Sequence, residues 1–210
     1  MNGQYVTVRQ RGKDEIIINR SRFIGCVCPC ETEEEALSFL QEIRNSYHDA
    51  SHHCYAYIVG TNSGIMRYSD DGEPGGTAGL PIMDVMRGRQ IVNCCTVVVR
   101  YFGGILLGTG GLVRAYTQSS KTALEAAGIV RMEHTSHFLC DIPYSCWDSV
   151  RHAAESLPVH ILTPDFAATV TFTLSVRSAD ASRVLDELSR ITSRKIETIP
   201  AYESFEPWEL

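Results

Sequence analysis

The segment RYFGGILLGTGGLVRAY, from Arg100 to Tyr116, concentrates glycine directly after the apolar run TVVV. Its glycines are Gly103, Gly104, Gly108, Gly110 and Gly111. A glycine-rich loop that leads into a helix presents free backbone N–H groups at the positive end of the helix dipole. With Arg100 before the loop and Arg114 after it, this segment predicts a binding site for an anion such as phosphate. Close packing of a strand against a helix would use the same glycines, so that interpretation stays open beside the first.

A second glycine-rich loop, SDDGEPGGTAGLP, carries a group of carboxylates. Asp70, Asp71 and Glu73 are candidate ligands for Mg²⁺, which favours carboxylates and water. Apart from this candidate, no cofactor is expected. The same carboxylates could instead pair with Arg67 or Arg100, or serve ordinary turn chemistry.

Two adjacent histidines, His52 and His53, precede a predicted strand. Neighbouring side chains in a strand point to opposite faces, so at most one of them faces the loops, where it could act as a base or a phosphate ligand. We group His52 with the three carboxylates. Cys54 follows without the spacing of a nucleophilic triad, and the catalytic residues, if any, stay unknown.

Strands and helices alternate through the first part of the chain. EIIIN, RFIGCVC, CYAYIVG and TVVVRY are typical of strands, and TVVVRY, apolar on both faces, predicts a central strand. Thr32 with Glu35 predicts one capped helix, and Thr77 predicts a second. A third begins near Thr109 and ends at Gly128. The predicted inward faces are Ala36, Leu37, Leu40, Ile43 and Tyr47 on the first helix and Leu112, Val113, Tyr116, Ala123, Leu124 and Ala127 on the third. This part predicts α/β-type alternation.

The second part has a different pattern. Its order of predicted elements is βαββαβ, the ferredoxin-like arrangement. The segment FAATVTFTLSV alternates apolar with Thr and Ser residues, which predicts a sheet with one buried face and one wet face. The fold class is therefore α+β, with an N-terminal domain over residues 1–133 and a C-terminal domain over residues 134–210.

Composition limits the classes of function. The apolar fraction of 44% is that of a globular protein, and the N-terminus has no apolar signal segment. No apolar run reaches the roughly 20 residues of a membrane span, so a cytoplasmic protein without a membrane partner is expected. The net charge of −6 falls mainly after residue 133, which places any polyanion site on the N-terminal part.

The eight cysteines include no C-x-x-C spacing. Cys26, Cys28 and Cys30 alternate along one predicted strand, so their thiols could line up for a metal or redox role. The favoured interpretation is that reduced cysteines serve as small apolar residues.

The segments HHCYAY, SDDGEPGGTAGLP and VVVRYFGGILLGTGGLVRAY occur in one order and close together. In this combination the chain resembles the IMPACT family, specifically its bacterial YigZ-type members, over essentially its whole length. The resemblance implies an N-terminal domain like the second domain of a small-subunit ribosomal protein. It also implies a C-terminal domain like the last domain of a translocation elongation factor. Many relatives have a lysine where Leu106 stands, so a cation is not expected there. The resemblance implies a link to translation through RNA or ribosome contact, and no established reaction.

Three functions follow as hypotheses. The first is a translation-linked regulator that binds RNA or the ribosome through the anion site. The second is a Mg²⁺-dependent enzyme that acts on a phosphorylated small molecule or nucleotide. The third is a purely protein-binding regulator whose loops are structural. For either of the first two, replacing Arg100 by alanine is expected to abolish binding and to leave the fold intact. The oligomeric state does not follow from the sequence.

Overall fold

The computed structural model describes residues 4–61 and 64–209. The chain forms two compact units, one built on Tyr5–Arg131 and the other on Met132–Glu206. Gln4 belongs to the second unit, and the last described residues, 207–209, belong to the first.

The N-terminal unit contains six strands and three helices among its described residues. They are β1 (Tyr5–Val8), β2 (Gly12–Ile18), β3 (Ser21–Pro29), α1 (Glu33–Ser46), β4 (His52–Val59), β5 (Ile65–Ser69), α2 (Gly79–Gly88), β6 (Cys94–Tyr101) and α3 (Gly108–Ala127). Five strands form one sheet in the order β2-β3-β6-β4-β5, and the strand pairs are antiparallel. Because the described pairs within this sheet are antiparallel, the unit is α+β, whereas α/β-type alternation favours parallel pairing. Hairpins β2–β3 and β4–β5 account for the difference, since the sequence pattern did not reveal β5.

Strand β6 lies at the centre of this sheet, as its apolar sequence predicts, and is buried from Cys94 to Arg100. On one face the core includes Ile82 and Met86 of α2 and Leu124 of α3. On the other face it includes residues of α1. Both faces of β6 are thus covered, which explains why its sequence does not alternate.

Helix α1 begins as predicted: Thr32 Oγ1 accepts a hydrogen bond from the Glu35 backbone N–H at 3.2 Å. Its buried residues are Ala36, Phe39, Leu40 and Ile43, whereas Leu37 is exposed, so its predicted place in the core was wrong. In α3 the predicted face is buried except at Val113, and Gly128, with φ +73°, ends the helix. Thr77 does not cap α2, because its hydroxyl donates to the Pro74 carbonyl.

The contact between α3 and the sheet depends on a glycine in β3. A Cβ on Gly25 would lie 2.6 Å from both the Ala123 Cβ and the Ser119 carbonyl oxygen. Only glycine therefore allows the helix to approach the strand this closely.

The C-terminal unit has the predicted βαββαβ order. Its elements are β7 (Ile129–Ile142), α4 (Tyr144–Ala154), β8 (Val159–Phe166), β9 (Val170–Arg177), α5 (Ala181–Ile191) and β10 (Glu197–Glu209). In its sheet β7, β9 and β8 lie side by side in that order, and β10 also pairs with β7. Val170, Phe172, Leu174 and Val176 are buried, as the alternation predicts, but Phe166 ends the preceding strand and is exposed, and Ser175, on the face predicted to contact water, is buried.

Candidate functional site

A pocket of about 380 Å³ opens where β6 ends and α3 begins. His52 and Arg100 lie opposite each other on the neighbouring strands β4 and β6, so the sheet register brings both to the pocket. Gly108 and Thr109, at the start of α3, line another part of it. The complete lining is His52, Glu73, Pro74, Arg100, Phe102, Leu106, Leu107, Gly108, Thr109 and Leu112.

Arg100 forms a buried ion pair with Glu73. Their Nη1 and Oε1 atoms are 2.6 Å apart, and the two side chains are 6% and 3% exposed. The Arg100 guanidinium also lies 5.3 Å from the ring centre of Phe23 and 5.4 Å from that of Phe102. Arg100 therefore contributes little free positive charge to the pocket, because Glu73 neutralises it. The expectation that Arg100→Ala leaves the fold intact does not suit this geometry, since the variant would leave the Glu73 carboxylate buried and unpaired.

The same Glu73 oxygen accepts a second hydrogen bond, from the Tyr116 hydroxyl at 2.7 Å. Cys54 lies 3.4 Å from that hydroxyl. Burial raises the pKa of the Tyr116 hydroxyl and of the Cys54 thiol well above their usual ranges. Both groups are therefore neutral hydrogen-bonding groups at neutral pH, and neither is an activated nucleophile.

Both histidine rings contact Asp71 of the SDDGEP loop, since His53 Nδ1 lies 3.8 Å from Asp71 Oδ2, so the prediction that at most one faces the loops was wrong. His52 donates from Nδ1 to the Asp71 carbonyl at 2.8 Å, and its Nε2 lies 3.9 Å from Glu73 Oε1 beside the pocket. His53 Nε2 donates to the Tyr47 carbonyl at 3.0 Å. His52 is thus the one histidine of the pair that lines the pocket.

The three candidate magnesium ligands are directed to different partners. The Asp70 carboxylate accepts hydrogen bonds from the backbone N–H groups of Gly76, Ala78 and Gly79 at 2.8, 3.0 and 2.8 Å. It caps the beginning of α2 from outside the helix. Asp71 accepts from the His53 backbone N–H, and Glu73 is paired with Arg100. Within residues 4–61 and 64–209 no three His, Cys, Asp or Glu side chains are placed to hold a metal ion.

The glycines of the segment Arg100–Tyr116 were interpreted either as an anion site or as positions needed for close packing, and the structure assigns different ones to each. A Cβ on Gly103 would lie 2.1 Å from the Arg20 carbonyl carbon, so this glycine is needed for packing. Gly104 and Gly108 have φ of +81° and +68° with open space around them. A Cβ on Gly110 would meet only the Arg114 guanidinium, at 3.7 Å, and one on Gly111 would lie 3.0 Å from the Leu107 Cβ. Sterics therefore require glycine at Gly103, but not at Gly110.

The amino end of α3 retains free donors. In the described part of the chain, the backbone N–H groups of Thr109 and Gly110 have no acceptor, which is normal for the first turn of a helix. Arg114 is exposed and lies over Gly110, but it is not part of the pocket lining. The structure thus does not bring the two predicted arginines together around one pocket.

Residues 19–124 match the family model described as the Impact N-terminal domain. This range includes every residue of the pocket. An IMPACT family member of Haemophilus influenzae is 37% identical over 182 residues, which cover 85% of this chain and 88% of that protein. This chain belongs to the IMPACT family. The family member YigZ of Escherichia coli is 31% identical over 188 residues, 89% of this chain and 92% of its own length. Bacillus subtilis YvyE is 46% identical over 137 residues, 63% of either chain.

One solved structure has the same fold over nearly the whole length. It is titled a crystal structure of a hypothetical protein, has 28% sequence identity and a TM-score of 0.60, and matches 96% of this chain and 98% of its own. No helix in the described part of this IMPACT-family chain has the length and apolarity of a membrane span.

Sequence reasoning missed the apolar walls of the pocket in this IMPACT-family chain. Phe102 and Leu106 are 48% and 86% exposed, and Leu112 lies deeper in the wall. A signal was present, because FGGILL places large apolar residues among glycines in a loop that should be polar.

Cys26 and Cys28 lie in β3, whereas Cys30 follows the end of the strand, and all three thiols are free. Burial raises the pKa of Cys26 to about 11 and that of Cys30 to about 12. Cys28 is half-buried and faces Arg11, yet burial also raises its pKa. These environments favour the interpretation of the cysteines as small apolar residues.

Proposed function

We propose that this protein is a translation-linked regulator that acts in the cytoplasm and binds RNA or the ribosome through an anion site in its N-terminal unit. The observation that carries the proposal is the pocket in which the free amides of α3 lie beside an exposed aromatic ring, Phe102. The implied likeness of its two domains to domains of a ribosomal protein and of an elongation factor supports the same assignment.

The pocket suits one unstacked nucleotide. A phosphate fits the amino end of α3 at Gly108 and Thr109, where helix dipole and free N–H groups favour negative charge. A base fits against Phe102 and Leu106, and stacking on an aromatic side chain contributes about 1–3 kcal/mol per base. A ligand with an anionic end and a flat apolar end therefore matches both parts of the lining.

The number of phosphate contacts is small. Arg100 is neutralised by Glu73, so of the two predicted arginines only the exposed Arg114 adds to the α3 amides as a donor for phosphate. We therefore expect a shallow dependence of affinity on salt, with a slope of about one to two in a plot of log K against log salt.

A free nucleotide or phosphorylated metabolite is the second candidate ligand. His52 Nε2 faces the pocket with the Glu73 carboxylate 3.9 Å behind it, an arrangement that could accept a proton from a bound molecule. The three carboxylates are engaged elsewhere, so this candidate gains no support for a Mg²⁺-dependent step.

The test uses a fluorescent single-stranded RNA and purified small ribosomal subunits, titrated at several salt concentrations. The variant Thr109→Glu places a carboxylate at the amino end of α3, where it suits the helix dipole but repels phosphate. Gln118→Glu makes the same charge change on an exposed part of the same helix and serves as the control. We expect Thr109→Glu to weaken binding at least about tenfold, or ~1.4 kcal/mol, and the control to match the wild type.

Three outcomes decide between the candidates. Equal RNA binding by wild type and Thr109→Glu excludes the pocket as the RNA site. Absence of binding to RNA and to subunits at low salt overturns the proposal. A rise in melting temperature with a nucleotide, without RNA binding, favours the small-molecule candidate instead.

A further inference from the structure

Strand β5 forms one edge of the N-terminal sheet. Its side chains are exposed on both faces: Ile65, Met66 and Tyr68 are 39%, 47% and 50% exposed. An edge strand also presents a row of backbone N–H and C=O groups to any extended chain that approaches it.

Two other outer strands, β2 and β8, carry protection that β5 lacks. At the opposite edge, β2 has the charged run Lys13, Asp14 and Glu15. In the C-terminal unit, β8 contains Pro164, and its pairing with β9 shifts register between Leu162 and Asp165. Such charges, prolines and bulges prevent pairing with foreign strands. Strand β5 contains no proline, and its pairing with β4 is regular from Ile65 to Ser69.

The single charge on β5 has no acidic partner. The Arg67 guanidinium donates to the Met66 carbonyl at 3.0 Å, and it forms no ion pair within the described ranges. Arg67 pairs in register with Tyr57, which belongs to the core on the α1 side. Met66 and Tyr68 pair with Ile58 and Ala56, which belong to the core on the α2 and α3 side. One face of β5 thus offers a cation and the other offers two large apolar side chains.

We propose that β5 is a docking strand for an extended segment of a partner protein, which adds to the edge of the sheet. The segment carries an acidic residue opposite Arg67, and apolar residues before and after it that contact Met66 and Tyr68. Backbone hydrogen bonds hold the added strand, and the alternate side chains select its sequence. This surface is distinct from the pocket at α3, and it gives the protein a second kind of partner.

A second copy of the chain fits this edge less well. An antiparallel pair of β5 strands centred on their middle residue would place Arg67 opposite its own copy. Like charges directly opposite each other destabilise a strand pair. The charge pattern therefore favours a different, acidic segment.

The test uses two labelled peptides, one with the core Val-Glu-Val and one with Val-Lys-Val, each flanked by threonines. Fluorescence anisotropy should show binding of the first peptide to the full chain, and at least about tenfold weaker binding of the second. Arg67→Glu should reverse this preference. Arg151→Glu, an exposed charge reversal in the C-terminal unit, should leave it unchanged. Hydrogen exchange should slow in Ile65–Ser69 when the Glu peptide binds.

The opposing results are equally specific. The proposal is overturned if neither peptide binds. It is also overturned if Arg67→Glu does not alter the preference for the Glu peptide. Binding of an N-methylated Val-Glu-Val peptide as tight as that of the parent rules out strand addition, because methylation removes the backbone donors. Self-association of the wild-type chain that is lost in Arg67→Glu would identify a second copy as the occupant and also overturn it.

Discussion

Arg100 Nη1 lies 2.6 Å from Glu73 Oε1, and this buried contact joins the central strand β6 to the loop that precedes α2. Tyr116 of α3 donates to the same carboxylate oxygen. Three segments that are distant in sequence thus meet at one oxygen atom. The arginine predicted to hold a phosphate instead stabilises the floor of the pocket.

Loss of Arg100 should destabilise the N-terminal unit. Arg100→Ala leaves the Glu73 carboxylate buried without its cation, which typically costs about 3–5 kcal/mol. Urea unfolding measures this loss. Combining Arg100→Met with Glu73→Gln removes both charges and should recover a large part of it. An Arg100→Ala variant as stable as the wild type would show that the pair is not buried in solution.

Two glycines of the segment Arg100–Tyr116, Gly103 in the loop and Gly110 in the first turn of α3, should respond oppositely to alanine. Gly103→Ala places a Cβ 2.1 Å from the Arg20 carbonyl carbon, so the melting temperature should fall by several degrees or folding should fail. Gly110→Ala meets no closer atom than the Arg114 guanidinium at 3.7 Å. It should raise stability by up to about 1 kcal/mol through helix propensity. Equal melting temperatures for the two variants would contradict this assignment.

Asp70 should act as a helix cap. Asp70→Ala removes the acceptor of three backbone N–H groups and should cost at least about 1–2 kcal/mol, whereas Asp70→Asn should cost less because one oxygen remains. The wild-type melting temperature should be the same in magnesium chloride and in EDTA. A magnesium-dependent rise that disappears in Asp70→Asn would instead restore the metal interpretation.

Stability should fall at alkaline pH because of the buried thiols. Folding raises the pKa of Cys26 from 9.0 to about 11 and that of Cys30 from 9.0 to about 12. Below pH 9.0 each thiol is protonated in both states and has no effect. Above it the unfolded chain releases protons that the folded chain retains, so the free energy of unfolding decreases until the folded pKa is reached.

Each thiol contributes up to about 1.4 kcal/mol per pH unit to this slope. Urea unfolding across this range should therefore show a smaller slope for Cys26→Ala than for the wild type. Identical slopes would mean that the Cys26 thiol is accessible to water in the folded protein.

Much of the fold followed from local patterns. The cap at Thr32, the central position of TVVVRY, the end of α3 at Gly128 and the βαββαβ order each depend on neighbouring residues or on simple periodicity. Errors arose where burial depends on a distant element. The helical spacing of Leu37 predicted that it is buried, but Phe39 is buried and Leu37 is exposed. The position of the sheet decides which face of α1 is covered.

The site shows the same division. Residue types and spacing were enough to locate the loops, the glycines and His52, because loop and helix signals are local. Residue types and spacing did not determine which charges pair. From the sequence alone, Arg100 could bind Glu73, a phosphate or water equally well. Only the antiparallel sheet, which places the end of β6 beside the loop before α2, determined that Arg100 binds Glu73. Burial makes this ion pair important for stability, because a charge removed from water is costly in free energy without its partner.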